Sequence, residues 1–171
     1  MKIYIGSDHA GYELKEKLKT YLSELEQGYE IVDKGAFKYN SDDDYPDFVR
    51  LVAEAVAGGG GPELEERRGI ILGGSGQGEA MCANKTLGVR ALVFYGGVVA
   101  ERAVDINGKK SADPFEIVKL AREHNDANVL SLGVRFVSED EAKFATELFL
   151  STKFSGDERH IRRIKKLEPN A

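Results

Sequence analysis

Directly after the apolar run Ile70-Ile71-Leu72 the chain reads Gly73-Gly74-Ser75-Gly76-Gln77-Gly78-Glu79, with four glycines, a hydroxyl and a carboxylate in one short stretch. Glycine at this density lets successive backbone N–H groups turn toward one point, and a helix beginning at the end of the loop adds the partial positive charge of its first turn. The chemistry on offer is an anion cradle with a base beside it. Two common glycine loops are excluded. A nucleoside triphosphate loop carries Lys and Ser or Thr after its last glycine, whereas here Glu79 follows Gly78. The dinucleotide loop is Gly-x-Gly-x-x-Gly in the first strand-to-helix turn, whereas this one is Gly-x-Gly-x-Gly and follows the third strand. A turn that only lets a helix pack on a sheet explains one or two glycines, not four with Ser75 and Glu79 among them.

Other groups could share that chemistry. His9, His124 and His160 are the only histidines, and imidazole exchanges protons near neutral pH. None has a His or carboxylate at ligand spacing, so no metal site is expected. His124 also suits a helix C-terminus, where the dipole favours an imidazolium. Arg159 and Arg163, in the run Arg159-His160-Ile161-Arg162-Arg163, are four apart and share one helix face. Their guanidinium forks can converge on an anion, although a solvated basic face is the ordinary fate of such a run. Cys82, the single cysteine, reads as a small buried apolar residue and excludes an internal disulfide, consistent with a reducing compartment.

The elements that must position these groups alternate regularly. Lys2–Gly6 reads as a strand, followed by an amphipathic helix carrying Leu14, Leu18, Leu22 and Leu25. Glu30–Val32 begins a second strand. The acidic loop Ser41-Asp42-Asp43-Asp44-Tyr45 then leads through Pro46 into a helix with Phe48, Leu51, Val52, Ala55 and Val56. The Gly58–Gly61 run with Pro62 breaks that helix and reads as a surface loop, since the alternation resumes after it. Gly69–Leu72, Val89–Tyr95 and Val129–Leu132 read as further strands, and Val98–Ile106 as a possible helix. Asn107–Pro114 is polar and rich in breakers. A helix then leads from Phe115 to His124-Asn125-Asp126, Ser138 and Glu141 form a capping box before Phe144, Leu148 and Phe149, and a last helix spans Asp157–Leu167. This pattern predicts an α/β fold, a three-layer α/β/α sandwich on a five-stranded parallel Rossmann-like sheet. Ligands of such sheets gather beyond the carboxyl ends of the strands, where Asp8-His9, Gly73–Glu79 and Gly96-Gly97 should meet.

With 171 residues, the chain is the size of one domain, and 42% hydrophobic with 31% charged residues is ordinary globular composition. The net charge of −5 gives no overall positive field, so neither nucleic acid nor an anionic membrane is an expected partner. No apolar run approaches membrane-spanning length, and Met1–Gly6 reads as a strand rather than a leader. A cytoplasmic location is expected.

Taken in order, Gly6-Ser7-Asp8-His9-Ala10-Gly11, Asp44-Tyr45-Pro46, Gly73–Glu79 with Ala83-Asn84-Lys85, Gly88-Val89-Arg90, Glu123-His124-Asn125-Asp126 and Leu132-Gly133-Val134-Arg135 resemble the ribose-5-phosphate isomerase B family, which includes the galactose-6-phosphate isomerase subunits. The resemblance runs from Lys2 to about Lys165. It implies residues 1–171 as one sugar-phosphate isomerase domain with an extension helix at about 157–168. The implied reaction interconverts ribose 5-phosphate and ribulose 5-phosphate, within the pentose phosphate pathway, through an enediolate and without metal or cofactor. Some family members place a Cys at the position of Gly73 and others use a Glu at that of Glu79, so the resemblance makes Glu79 the base. It implies further that Gly74, Gly76 and Gly78 hold the oxyanion with Ser75 beside the sugar, and that Asp8 and His124 handle hydroxyl protons. His9, Arg135, Arg159 and Arg163 would bind phosphate, with Tyr45 and Asn125 near the substrate. The C-terminal helix would reach across a homodimer, or a dimer of dimers, so that pockets are shared. Asp105–Ala112 is longer than the family pattern and leaves substrate size open. A six-carbon substrate such as galactose or allose 6-phosphate, and a non-catalytic phosphosugar-binding module, are the alternatives.

Overall fold

In the computed structural model, which describes residues 1–58 and 66–167, the apolar runs form five parallel strands: β1 (Lys2–Ser7), β2 (Glu30–Asp33), β3 (Arg67–Gly73), β4 (Ala91–Phe94) and β5 (Val129–Gly133). The helices are α1 (Tyr12–Glu24), α2 (Tyr45–Ala57), α3 (Gln77–Ala83), α4 (Glu116–Asn125), α5 (Glu139–Ser151) and α6 (Glu158–Leu167). The strand order is β2-β1-β3-β5-β4. Right-handed crossovers put connections that travel in opposite directions on opposite faces. The rightward α2 and α3 therefore pack together on one face, while the leftward α1 and α4 share the other with α5.

Side-chain alternation along the strands sorts the core between these faces. Ile3, Ile5, Ile70, Leu72, Leu130 and Leu132 meet Leu18, Leu22, Ala145 and Phe149 on the α1/α4/α5 side. Tyr4, Ile71 and Val129 meet Val49, Val52, Ala53 and Val56 of α2 on the other. The order reverses between β1 and β3, and the registers Ser7↔Leu72 and Gly73↔Gly133 bring the exits of β1, β3 and β5 level. At such a reversal, neighbouring exit loops diverge and leave a crevice.

The capping box forms as its residues predict: Glu141 N–H donates to Ser138 Oγ at 3.2 Å, and Ser138 N–H to Glu141 Oε2 at 2.8 Å. In α2 the buried stripe is Val49-Val52-Ala53-Val56 rather than one containing Leu51, which is 46% exposed. Phe144 is half exposed, its ring edge-on to Phe115 at 4.7 Å. α2 ends at Ala57 with the Gly58 N–H on Glu54 O; residues 59–61 and Pro62 of the expected breaker loop lie outside the described residues.

Val98–Ile106 is not a helix. The chain runs without regular structure from Tyr95 to Phe115. Val98 and Ile106 are exposed at 65% and 74%, so no apolar face is buried to offset the cost of helix nucleation. The segment instead closes on itself, with Val104 N–H on Lys109 O and Asp105 Oδ1 accepting from Asn107 and Lys109 N–H. Among the described residues no helix is long and apolar enough to cross a membrane.

Candidate functional site

The glycine loop leaves β3 and turns into α3 through Gly76, whose φ of +74° is the left-handed region that costs other residues about 1 kcal/mol. A Cβ there would also stand 3.0 Å from Gly133 N. The buried hydroxyl of Ser131, in the middle of β5, donates to Gly76 O at 2.7 Å and pins the turn. The signal for it was a lone polar residue inside an apolar strand. Val134 and Arg135 N–H donate to Gly73 O and Gly74 O, which ties the loop to the exit of β5. Ser75 is exposed and its Oγ accepts from Gln77 N–H. Gly78, in the first turn of α3, lies under the ring of Tyr45, whose Oη would be 3.0 Å from a Cβ on Gly78.

Glu79 is only 4% exposed, and its carboxylate folds back over Gly73. A Cβ on Gly73 would lie 1.7 Å from Glu79 Oε1. A side chain at position 73 and the Glu79 carboxylate therefore compete for one place. Burial raises the Glu79 pKa, opposed by its own backbone N–H; nearby Asp8 raises it further and Arg135 lowers it. The guanidinium of Arg135 covers Gly74, its Cζ 2.9 Å from where a Cβ would stand.

Asp8, 7% exposed, closes the turn after β1 by accepting from Ala10 and Gly11 N–H at 3.0 and 3.2 Å. His9 donates from its backbone N–H to Asp43 Oδ1 at 3.0 Å, and its ring Nδ1 meets the same oxygen at 2.7 Å. That bond raises the His9 pKa; burial lowers it, and Asp8 raises it. Ligand atoms of Asp8, His9 and Asp43 lie within 4.8 Å of one another. Because His9 Nδ1 already bonds Asp43, this is a hydrogen-bonded array rather than an open coordination shell. Asp43, 34 residues from His9, went unread in the sequence as one of several loop acids.

Gly96-Gly97 leave at the same carboxyl edge, with Phe94 paired to Leu132, but β5 lies between β4 and β3: Gly133–Arg135 lies directly beside Gly73–Glu79, and the atoms nearest a Cβ on Gly96 or Gly97 belong to Phe136 and Pro114.

His124, Asn125, Arg159 and Arg163 assemble elsewhere. α4 runs back along the sheet, so its C-terminus lies at the amino ends of β4 and β5. There Arg90 Nε donates to Asn125 O at 2.8 Å, and Arg90 N–H to Asn128 Oδ1. The length of β5, five residues at about 3.3 Å each, is a span of roughly 16 Å between this edge and the loop bearing Glu79. The ring of His124 lies against that of His160, centroids 4.3 Å apart and tilted by 37°, and Ser155 Oγ is 2.9 Å from His160 Nδ1. Burial lowers the His160 pKa, and His124 adds to this. Arg159 and Arg163 line a cavity of 410 Å³ with both imidazoles, and residues 103–107 of the long loop form its rim. Among the described residues neither arginine makes an ion pair. Asn125 is exposed and borders a neighbouring cavity with Arg90 and Leu167.

One chain thus carries two clusters of polar side chains at opposite edges of the sheet. The first is a buried carboxylate under a glycine loop with Asp8, His9 and Arg135. The second is a cationic cavity with a histidine pair.

The family model described as Ribose/Galactose Isomerase matches residues 3–110 and 111–167. Ribose-5-phosphate isomerase B of Mycolicibacterium paratuberculosis is 37% identical over 164 residues, covering 96% of this chain and 87% of that protein. The Escherichia coli protein of the same name is 35% identical, with coverages of 96% and 92%. A crystal structure of ribose-5-phosphate isomerase B from Mycoplasma genitalium with bound ribulose-5-phosphate superposes with a TM-score of 0.80 at 34% identity, covering 98% of this chain and 94% of that one.

Proposed function

The chain belongs to the ribose/galactose isomerase family, and from that membership we propose that it is an aldose-ketose isomerase interconverting ribose 5-phosphate and ribulose 5-phosphate, with Glu79 as the base. The observation that carries the assignment of Glu79 is its carboxylate held over Gly73, buried, beside Asp8 and Arg135. Desolvation raises the pKa of the carboxylate and so brings it nearer the basicity that proton abstraction needs. Glu79 takes the proton from C2 of the open-chain aldose and returns it to C1, and a hydroxyl proton moves from O2 to O1. The enediolate oxygens face the N–H groups of Gly74, Gly76 and Gly78 and the hydroxyl of Ser75, donors fixed in advance by the Ser131 bond. Asp8 and His124 exchange the hydroxyl protons of ring opening. His9, Arg135, Arg159 and Arg163 hold the phosphate, with Tyr45 and Asn125 at the margin.

These roles require a homodimer. His124, Asn125, Arg159 and Arg163 meet Glu79 only if a second copy presents its amino edge to the carboxyl edge of the first. Two features support this: α6 buries only His160 against its own chain, and the two arginines are without counter-charge among the described residues.

The deciding experiment is a panel of five- and six-carbon aldose phosphates assayed for ketose formation and for deuterium uptake from solvent. Ribose 5-phosphate is expected to turn over with deuterium incorporation, and Glu79→Gln to lower kcat by about 10²- to 10⁴-fold in a folded protein. Turnover by that variant near the wild-type rate would remove Glu79 as the base, exchange of only galactose or allose 6-phosphate would reassign the substrate, and no exchange would leave a phosphosugar-binding module.

A further inference from the structure

Between His9 and the loop before α2 there is a contact that the chemistry above does not use. Asp43 Oδ1 accepts both the backbone N–H of His9, at 3.0 Å, and its ring Nδ1–H, at 2.7 Å. Two bonds accepted by one oxygen fix both the main chain and the ring plane of His9, and the ring of Tyr39 stands edge-on to it at 6.3 Å and 86°. The Asp43 side chain is 8% exposed, and its Oδ2 is buried without a hydrogen-bond partner among the described residues. A buried carboxylate so poorly solvated favours a cation beside it. His9 is the group it touches.

We propose, resting on the phosphosugar isomerase reading, that Asp43 is a positioning residue for substrate binding: it fixes the His9 ring and retains its proton, so that Nε2–H is presented to the substrate phosphate as a charged donor. With Nδ1 committed to Asp43, Nε2 is the only nitrogen left to donate. Asp43 acts through His9 and touches no reacting atom. The charged groups facing His9 are Asp8 at the end of β1, Asp43 itself and Arg135 after β5. In the proposed dimer, Arg159 and Arg163 of the second copy join them. The two carboxylates keep the imidazolium charged against the arginines, and the raised pKa of His9 accords with this.

The test is Asp43→Asn, which keeps an acceptor for both bonds but removes the charge, with Asp43→Ala as the variant that removes the acceptor as well. The His9 ring is followed by NMR titration in each folded protein, with and without inorganic phosphate, and KM and kcat for ribose 5-phosphate are measured from pH 6 to pH 9. The His9 midpoint is expected to fall in both variants. KM should rise by about tenfold between the two midpoints, the size of one lost charge-assisted hydrogen bond, with kcat near wild type and the difference closing at acid pH. Protonation of the substrate phosphate, with its pKa near 6, is common to all the proteins and cancels in the ratio. An unchanged His9 midpoint, or a fall in kcat at constant KM, would overturn the proposal. Absence of turnover in the wild type would instead overturn the isomerase reading, and the NMR arm would still decide whether Asp43 controls His9.

Discussion

Gly73 and Glu79 are six positions apart and occupy one point in space. A Cβ on residue 73 would stand 1.7 Å from Glu79 Oε1, so Gly73→Ala should push the carboxylate off its station. The backbone of Gly73 needs no positive φ, hence the fold should persist while kcat falls by about 10²-fold, the cost of a misplaced base; steady-state kinetics and circular dichroism together check this. Glu79 carries a stability cost as well. Burial raises its pKa above the ordinary 4.5, so the folded state prefers the neutral acid. That preference stabilises the fold below the unfolded pKa and is lost as pH rises through the folded one. Glu79→Gln, neutral at every pH, should therefore melt higher than wild type at pH 7.5 and no higher near pH 4. A lower melting temperature at pH 7.5 would contradict the desolvation argument. The glycines and Glu79 were legible because their geometry is local. Asp43 was not, because its partner lies 34 residues away across two elements.

At the level of elements, the end of α4 decides where His124 points, and Arg122 holds it. Arg122 is 2% exposed; its guanidinium donates to Asp126 Oδ1 at 2.8 Å, to Thr152 O at 3.1 Å and to Ala127 O, joining the C-termini of α4 and α5 to the chain leading into β5. Replacing it with Met should leave these acceptors unmet and cost about 2–4 kcal/mol in urea unfolding. Lys should recover little, since one ammonium cannot reproduce the fork. Nothing in the local sequence marked Arg122 as buried, nor Lys15, which is 0% exposed and bonds Asp33 and Ala36 O. Apolar spacing locates a helix face but does not reveal which cation has a carboxylate waiting. The capping box of α5 was legible for the opposite reason, since both partners lie within four residues. Val98–Ile106 misled because its apolar residues imply burial that the chain alone does not supply; Val98, Val99 and Ile106 remain 65%, 51% and 74% exposed.

On the scale of the molecule, the alternation of strands and helices gave the layers, but strand order is set by which edges pair. The order β1-β3-β5-β4 sets Gly96-Gly97 one strand beyond the glycine loop and puts Arg135 directly beside it. It also set His124 at the edge opposite Glu79, and this has a consequence that can be measured by mixing subunits. Glu79→Gln lacks the proposed base, while a variant carrying Arg159→Ala and Arg163→Ala lacks the charges of the cationic cavity. Each alone should be close to inactive. If every site takes Glu79 from one copy and the arginines from another, a heterodimer of the two variants has one site with both lesions and one with neither. Random exchange yields about half heterodimers, so activity should return to about a quarter of wild type after unfolding and refolding the two together. If instead one chain supplied all of its own site, both sites of the heterodimer would carry a lesion and mixing would restore nothing. Ion-exchange chromatography of the same mixture separates failure to exchange from failure to complement, because Glu79→Gln and the double arginine variant differ in charge and their heterodimer elutes between the two homodimers.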